Sequence, residues 1–448
     1  MGKKVFIQSL GCPKNLVDSE VISGTLRGAG YRGVASPEEA DILLVNTCGF
    51  ITSAVEEGID AILALAAVKK KKAGCKLVVA GCMVQRYGER LQLELPEVDL
   101  FLGVDEIAGV AEKLATLGSE ASLVCGSETP AYLMDFQTAR LISTPSFRSY
   151  LKITEGCSNR CSYCLIPSLR GPLRSRKLED LIREAQLLAA GGIRELTLVA
   201  QDLTAYGLDL GPGQERLPQL LRALLNETTI PWVRMLYLYP MRLNDEVLQL
   251  VADQPRLLPY FDIPLQHVSD RILKAMNRPY QRKSVEELLA RIRNLVPSAA
   301  IRTTFMVGFP GETEADVAEL ADFMAAQQLN NVGIFCYSNE EECKAASLPD
   351  HCSEEEKGAR RDRLMELQAR ISLNVNRHLV GSIQPVLVEG LSCESDLLLE
   401  GRTRFQAPEI DGVVYITSGT CEAGDIVDVR ITEAHHYDLI GEIVDQEA

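Results

Sequence analysis

Short runs of consecutive apolar residues, each followed by a stretch of helical periodicity, recur through the first three quarters of the chain. A run of mostly consecutive apolar residues offers no continuous polar face to water. It therefore belongs in a parallel sheet covered on both sides. Val5–Leu10, Ile42–Val45 and Leu77–Ala80 form a first group, with helices predicted near 17–29, 53–70 and 84–95. This is the pattern of a doubly wound α/β domain. A stretch rich in Ser, Thr and Pro from about 119 to 147 reads as a linker. Six further strand-like runs follow: Tyr150–Thr154, Glu195–Ala200, Trp232–Tyr239, Tyr260–Leu265, Ile301–Val307 and Asn331–Tyr337. Six strand–helix units fall short of a closed eight-stranded barrel, so a partial barrel with an open side is predicted. Glu354 to about Leu379 reads as a charged amphipathic helix. The remainder is rich in Val, Ile, Thr and Gly, with turn signals such as Ala423-Gly424-Asp425, and predicts a small antiparallel β-barrel. The expected domains are 1–120, 145–375 and 380–448.

Six of the thirteen cysteines fall at the ends of these runs. Cys157, Cys161 and Cys164, in EGCSNRCSYC, form a C-x3-C-x2-C loop directly after a predicted strand. Three thiolates so placed can hold three irons of a 4Fe-4S cube and leave the fourth iron open to a small molecule, which a fourth cysteine would close. A structural zinc site or buried free cysteines are the alternatives. The other three are dispersed. The first three strands run into Gly11-Cys12, Asn46-Thr47-Cys48 and Gly81-Cys82, and the loops after parallel strands share the sheet edge where such folds bind ligands. Any one of these cysteines is most simply a core residue, but three in the same position on successive strands predict a second metal site. Cys75 precedes its strand and breaks the pattern. Cys125, Cys336, Cys343, Cys352, Cys393 and Cys421 show no convergence and read as structural or incidental, and the five histidines have no ligand spacing.

Lys and Arg number 46 against 62 Asp and Glu, a net charge of −16. Such a surface repels phosphate backbones unless a local basic patch intervenes. No apolar run approaches the length of a membrane span, and MGKKVFIQSLGC is too short in its apolar part for a signal peptide. A cytoplasmic protein with no membrane partner is expected. In that reducing compartment, thirteen cysteines point to metal or redox chemistry rather than disulfides.

Together these features resemble the radical S-adenosylmethionine (SAM) methylthiotransferase family over essentially the whole chain. The resemblance implies an N-terminal domain whose Cys12, Cys48 and Cys82 bind an auxiliary 4Fe-4S cluster. A radical SAM partial barrel would follow, whose Cys157, Cys161 and Cys164 bind the cluster that holds SAM, and then a substrate-recognising TRAM barrel. Ser9–Glu20 (SLGCPKNLVDSE) and the tail IPSLRGPLRSR before Lys177 are similar to the branch that modifies small-subunit ribosomal protein S-12. The implied reaction places a methylthio group on the β-carbon of an aspartate of S-12, free or in the ribosome, using two clusters, two SAM molecules and a cytosolic electron donor. The chemistry would be carried by the cofactors rather than by catalytic side chains. Methylthiolation of transfer-RNA adenosine is the alternative within the family. A non-catalytic iron–sulfur carrier or ribosome-binding module is the alternative outside it. Residues 381–448 hold 14 acidic residues against Arg402, Arg404 and Arg430 and no lysine, a net of −11. This concentration of charge suits a basic protein and argues against nucleic acid as the direct substrate.

Lesser motifs extend the resemblance to SAM contacts. Gly191 and Gly192 before the second barrel strand, Gln266 after the fourth, Arg302 on the fifth, and Gly308 and Gly311 of the turn after it are expected near SAM. A helix C-cap explains the first glycine pair equally well. Arg170, Arg174 and Arg176 are expected to face either the anionic carboxyl group of SAM or the substrate, or, more simply, solvent. Glu340-Glu341-Glu342-Cys343 departs from the family, where a Gly-Thr pair commonly follows the acidic residues.

Overall fold

The structure is a computed structural model that describes residues 2–117, 122–124, 129–214 and 216–444; Cys125 lies outside them. Lys4–Ser9, Ile42–Thr47 and Lys76–Gly81 pair in parallel and continue through Leu100–Leu102 to Ser122–Val124, with the two-residue Arg32–Gly33 at the opposite edge. Alternate residues feed two cores. Leu43, Val45, Leu77, Val79 and Phe101 pack with Val55, Ile62 and Leu65 of helix Thr52–Lys69. Ile42, Leu44, Val78 and Ala80 pack with Ile22 and Leu26 of helix Pro13–Gly28. This two-sided burial is why these strands carry no polar alternation. The helix predicted over 84–95 divides at Gly88 into Cys82–Tyr87 and Glu89–Glu94.

Described parts of the predicted linker are held in place. Ser122–Val124 joins the sheet, and Arg140 fastens the later part through Glu20 (2.7 Å) and Glu184 (2.6 Å). Beyond it, Arg148–Lys152, Glu195–Val199 and Trp232–Met235 form one parallel group, and Tyr260–Asp262, Ala300–Val307 and Asn331–Cys336 a second. Backbone bonds from Val233 N to Arg256 O and from Leu238 N to Asp262 O, both 2.8 Å, join the groups, so the six strands curve in sequence order. Their concave face is filled by neighbours rather than by two more strands. Tyr150, Val199, Trp232, Tyr260 and Ala300 pack against Val17 and Val21 of the first helix and against Leu387 and Ala407 of the terminal barrel.

Helix Glu354–Arg377, opened by a capping box between Ser353 and Glu356, leads to a closed five-stranded barrel. Its strands follow the order Ile383–Leu391, Leu399–Thr403, Val414–Ile416, Leu439–Ile443 and Ile426–Ala434. The pairings are antiparallel except that between Val414–Ile416 and Leu439–Ile443. This barrel docks at the amino ends of the partial-barrel strands through buried charge. Glu195 accepts from Arg234 Nε and Arg402 Nη2 at 2.6 Å each, and Arg402 also reaches Glu389 at 2.7 Å. Asp411 accepts from Tyr260 Oη at 2.6 Å and lies 3.5 Å from Arg302. Among the described residues no helix is long and apolar enough to cross a membrane.

Candidate active site

At the carboxyl ends of the six strands lies a cavity of about 280 Å³ lined by Cys157, Cys161 and Cys164. Their loop is pinned on several sides. Cys157 N donates to Gly171 O (3.1 Å), Ser162 N to Met276 O (3.0 Å), and Ala345 N to Ser162 O (2.9 Å). The opposite wall comes from Gln201, Tyr237, Gln266 and Thr304. Phe50, two residues after Cys48, also lines it, so the N-terminal domain reaches the mouth of the barrel.

The dispersed cysteines meet because three strand ends do. A Cβ on Gly11 would lie 2.9 Å from Cys48 Cβ, and one on Gly49 would lie 2.8 Å from the Cys82 backbone. Only glycine lets the Cys12, Cys48 and Cys82 loops approach so closely. Burial pushes the Cys82 and Cys164 thiols up to about 12 and raises those of Cys48 and Cys157. Such groups become thiolates only beside a strong positive charge, and a bound metal provides one. Among the described residues no three His, Cys, Asp or Glu side chains close around a single-ion point. The case for an iron–sulfur cube therefore rests on the donor type and on the placement of each trio.

A buried network ties the two trios together. Lys152 of the first barrel strand bonds Asp18 of the first helix (2.5 Å) and Glu155 (2.8 Å). Arg170, at the end of helix Ile166–Arg170, donates to Asp18 Oδ2 (2.6 Å), Asn15 Oδ1 (3.2 Å) and Cys82 Sγ (3.1 Å). Glu155 takes a further bond from Gln201 at 2.8 Å. Neither sequence reading of Arg170 and Arg176 survives. Arg170 is 4% exposed and paired, and Arg176, at 1%, binds Asp180 and Glu184. The loop after the sixth strand is a clasp. Buried Glu340 accepts from Thr52 N (2.8 Å) and Arg86 (2.7 Å), and Glu342 also takes Arg86 (2.6 Å). The departure at 340–343 thus anchors the N-terminal domain over the mouth, with Cys343 packed in the apolar cluster of Cys82.

Of the expected SAM contacts, Gln266 lines the cavity. Arg302 does not. It binds Asp262 (3.0 Å) and faces Asp411, because its position near the start of its strand points it toward the terminal barrel. Gly191 caps helix Leu178–Ala190, and Gly192 follows at φ +91°. Gly308 and Gly311 form the turn whose Gly308 N donates to both carboxylate oxygens of Glu312 at 3.0 Å. Sequence reasoning missed Tyr237. It and Gln266 are non-glycine residues at φ +62° and +71°, both at strand ends facing the cavity. Backbone strain of this kind collects at functional sites and costs about 1–3 kcal/mol. Lys14, two residues after Cys12, stands 3.6 Å above the Tyr237 ring, so this tyrosine connects the mouth to the dispersed trio.

Residues 4–103 match the model of uncharacterized protein family UPF0004, 151–324 that of the radical SAM superfamily and 380–444 that of the TRAM domain. The ribosomal protein uS12 methylthiotransferase RimO of Desulfotalea psychrophila is 52% identical over 99% of this chain and 100% of its own. That of Geobacter sulfurreducens is 48% identical over 99% of each. The chain belongs to the ribosomal protein uS12 methylthiotransferase family. Among solved structures, the radical SAM methyltransferase TsrM of Kitasatospora setae, with cobalamin and a 4Fe-4S cluster bound, aligns at TM-score 0.56 with 13% identity, covering 86% of this chain and 81% of its own. At that identity the likeness shows the fold.

Proposed function

We propose that this chain is the methylthiotransferase of ribosomal protein uS12, attaching a methylthio group to the β-carbon of an aspartate of that protein. The observation that supports the reading is a cysteine trio lining the barrel mouth beside Phe50, with a second trio at the neighbouring strand ends that lead to Phe50, in a family whose members are named as uS12 methylthiotransferases. Cys157, Cys161 and Cys164 would hold one 4Fe-4S cluster and Cys12, Cys48 and Cys82 the other. The donor chemistry fits, since each set offers three sulfurs and leaves one corner for a non-protein ligand. Bound there, the clusters and SAM supply the electron, the hydrogen-abstracting power and the sulfur attachment that no side chain has.

The chain's own residues do the rest. The loop bonds from Cys157 N and Ser162 N fix the first trio against the barrel, and Tyr237, Gln266 and Thr304 shape the space for SAM. Phe50 lines that space, and the Arg86–Glu340 ion pair holds the N-terminal domain beside it. On this reading residues 1–120 hold the auxiliary cluster, 145–375 the SAM cluster, and 380–448 meet the substrate. Arg402 is buried against Glu195 and Glu389, whereas Glu394, Asp396, Glu422, Asp425, Asp428, Glu433 and Glu442 are exposed. The surface of the terminal barrel is thus strongly acidic, which favours a basic ribosomal protein over RNA. The site of action would be the cytoplasm, with a cytosolic electron donor. The test is anaerobic incubation of reconstituted protein with SAM, reductant, sulfide and either uS12 or transfer RNA. A gain of one methylthio group on uS12 supports the reading. A gain on transfer RNA alone overturns it.

A further inference from the structure

The guanidinium of Arg170 belongs to the segment just after one cysteine trio, yet its Nε points at a sulfur of the other. Helix Ile166–Arg170 begins two residues beyond Cys164, and helix Cys82–Tyr87 begins at the cysteine that Arg170 meets. The side chain is fixed on every arm. Nη1 binds Asp18 at 2.6 Å and approaches Glu155 at 3.4 Å, Nη2 binds Asn15 at 3.2 Å, and Nε reaches Cys82 Sγ at 3.1 Å. Asp18 and Glu155 are each shared with Lys152, so these two carboxylates are matched by two cations. Arg170 and Cys82 are 4% and 7% exposed, so water does not compete for the bond.

A hydrogen bond and a positive charge at a cluster sulfur favour the reduced cluster, because reduction adds negative charge to the core and its ligands. We propose that Arg170 is a positioning residue that donates through Nε to the Cys82 thiolate and thereby raises the reduction potential of the auxiliary cluster relative to the SAM cluster. The inference rests on the cluster assignment above and adds to it a named control over one of the two cofactors. Lysine cannot replace it. An ammonium keeps the charge, but it lacks the fork that meets Asp18, Asn15 and a sulfur at once.

The test uses two backgrounds of the full chain, C157A/C161A/C164A and C12A/C48A/C82A, each expected to retain one cluster, with midpoint potentials read by spectroscopic redox titration. In the first background R170K should lower the auxiliary potential by a three- to tenfold change in the reduction equilibrium, about 28–59 mV for one electron. R170Q/D18N, which removes one buried cation with one buried anion and so protects the fold, should shift it in the same direction. In the second background neither variant should move the SAM cluster by as much as threefold. An auxiliary potential unchanged in both variants, an equal shift of both clusters, or loss of auxiliary iron from both variants overturns the proposal. Failure of C157A/C161A/C164A to bind a cluster with Arg170 intact would instead sink the cluster assignment, and this inference with it.

Discussion

The two ends of the partial barrel are built from similar residues to opposite purposes. At the amino ends of the strands, Glu195, Arg234, Arg402 and Glu389 form a closed chain of charge against the terminal barrel, with Arg302, Asp262, Asp411 and Tyr260 beside it. At the carboxyl ends the charges of Lys152, Asp18, Glu155 and Arg170 lead to a sulfur, and around them lie a cavity, two strained residues and buried thiols. At one end the charges pair with one another across a domain interface, and at the other they lead to a cysteine sulfur beside a cavity. This is the division seen across barrel enzymes, stability at the amino face and chemistry at the carboxyl face. Substitutions should therefore separate by end.

The largest separation lies at the carboxyl face. C161A should lower 5′-deoxyadenosine formation from SAM by about 10³-fold or more, whereas C48A should lower methylthio product as far while SAM is still split. Chromatography of both products from one reaction checks this, and loss of SAM splitting in C48A would merge the two trios into one function. At the amino face, R402A should cost about 3–5 kcal/mol of unfolding free energy, since it strands Glu195 beside a single partner. Denaturant unfolding followed through Trp232, the single tryptophan, reads this interface, because its ring packs in the same core as Leu387 and Ala407.

The same carboxylate sets an acid limit. Burial pushes Glu195 up, but Arg402 and Arg234 overcome that and hold it at about 2. A carboxyl group held below its unfolded value of about 4.3 contributes its full stability above that pH and loses it as the pH falls toward 2. Unfolding free energy should decline by about 3 kcal/mol across that window, and E195Q should flatten the decline. The smallest effect is Y237F, which keeps the ring over the mouth and removes the hydroxyl near Lys14. It should lower product formation by about three- to tenfold, about 1 kcal/mol, with unchanged unfolding. A drop in stability of that size would make Tyr237 a packing residue.

Both trios were visible in the chain for different reasons. Cys157, Cys161 and Cys164 are local, so spacing alone exposes them. Cys12, Cys48 and Cys82 needed the strand pattern, because their meeting depends on three parallel strands ending at one edge. The six barrel strands were legible as short strand-like runs between helical segments, although Lys152, Glu195, Arg234 and Arg302 interrupt their apolar pattern. Hidden were the features that arise between domains. Arg170 reads as an ordinary surface arginine until helix Pro13–Gly28 places Asp18 and Asn15 beside it. Arg302 meets Asp262 and Asp411 rather than the mouth, because sequence gives the strand but not how far along it a side chain meets its neighbour. Tyr237 carries no sequence mark, since a positive φ outside glycine is imposed by tertiary contacts.

The central claim is that two separate cysteine trios each hold one 4Fe-4S cluster across a shared mouth. Mössbauer spectroscopy with iron analysis of anaerobically reconstituted wild type, C157A/C161A/C164A and C12A/C48A/C82A tests it most directly. The account predicts two clusters in the wild type and one in each triple variant. A single cluster in the wild type, or a triple variant that keeps both, would contradict it.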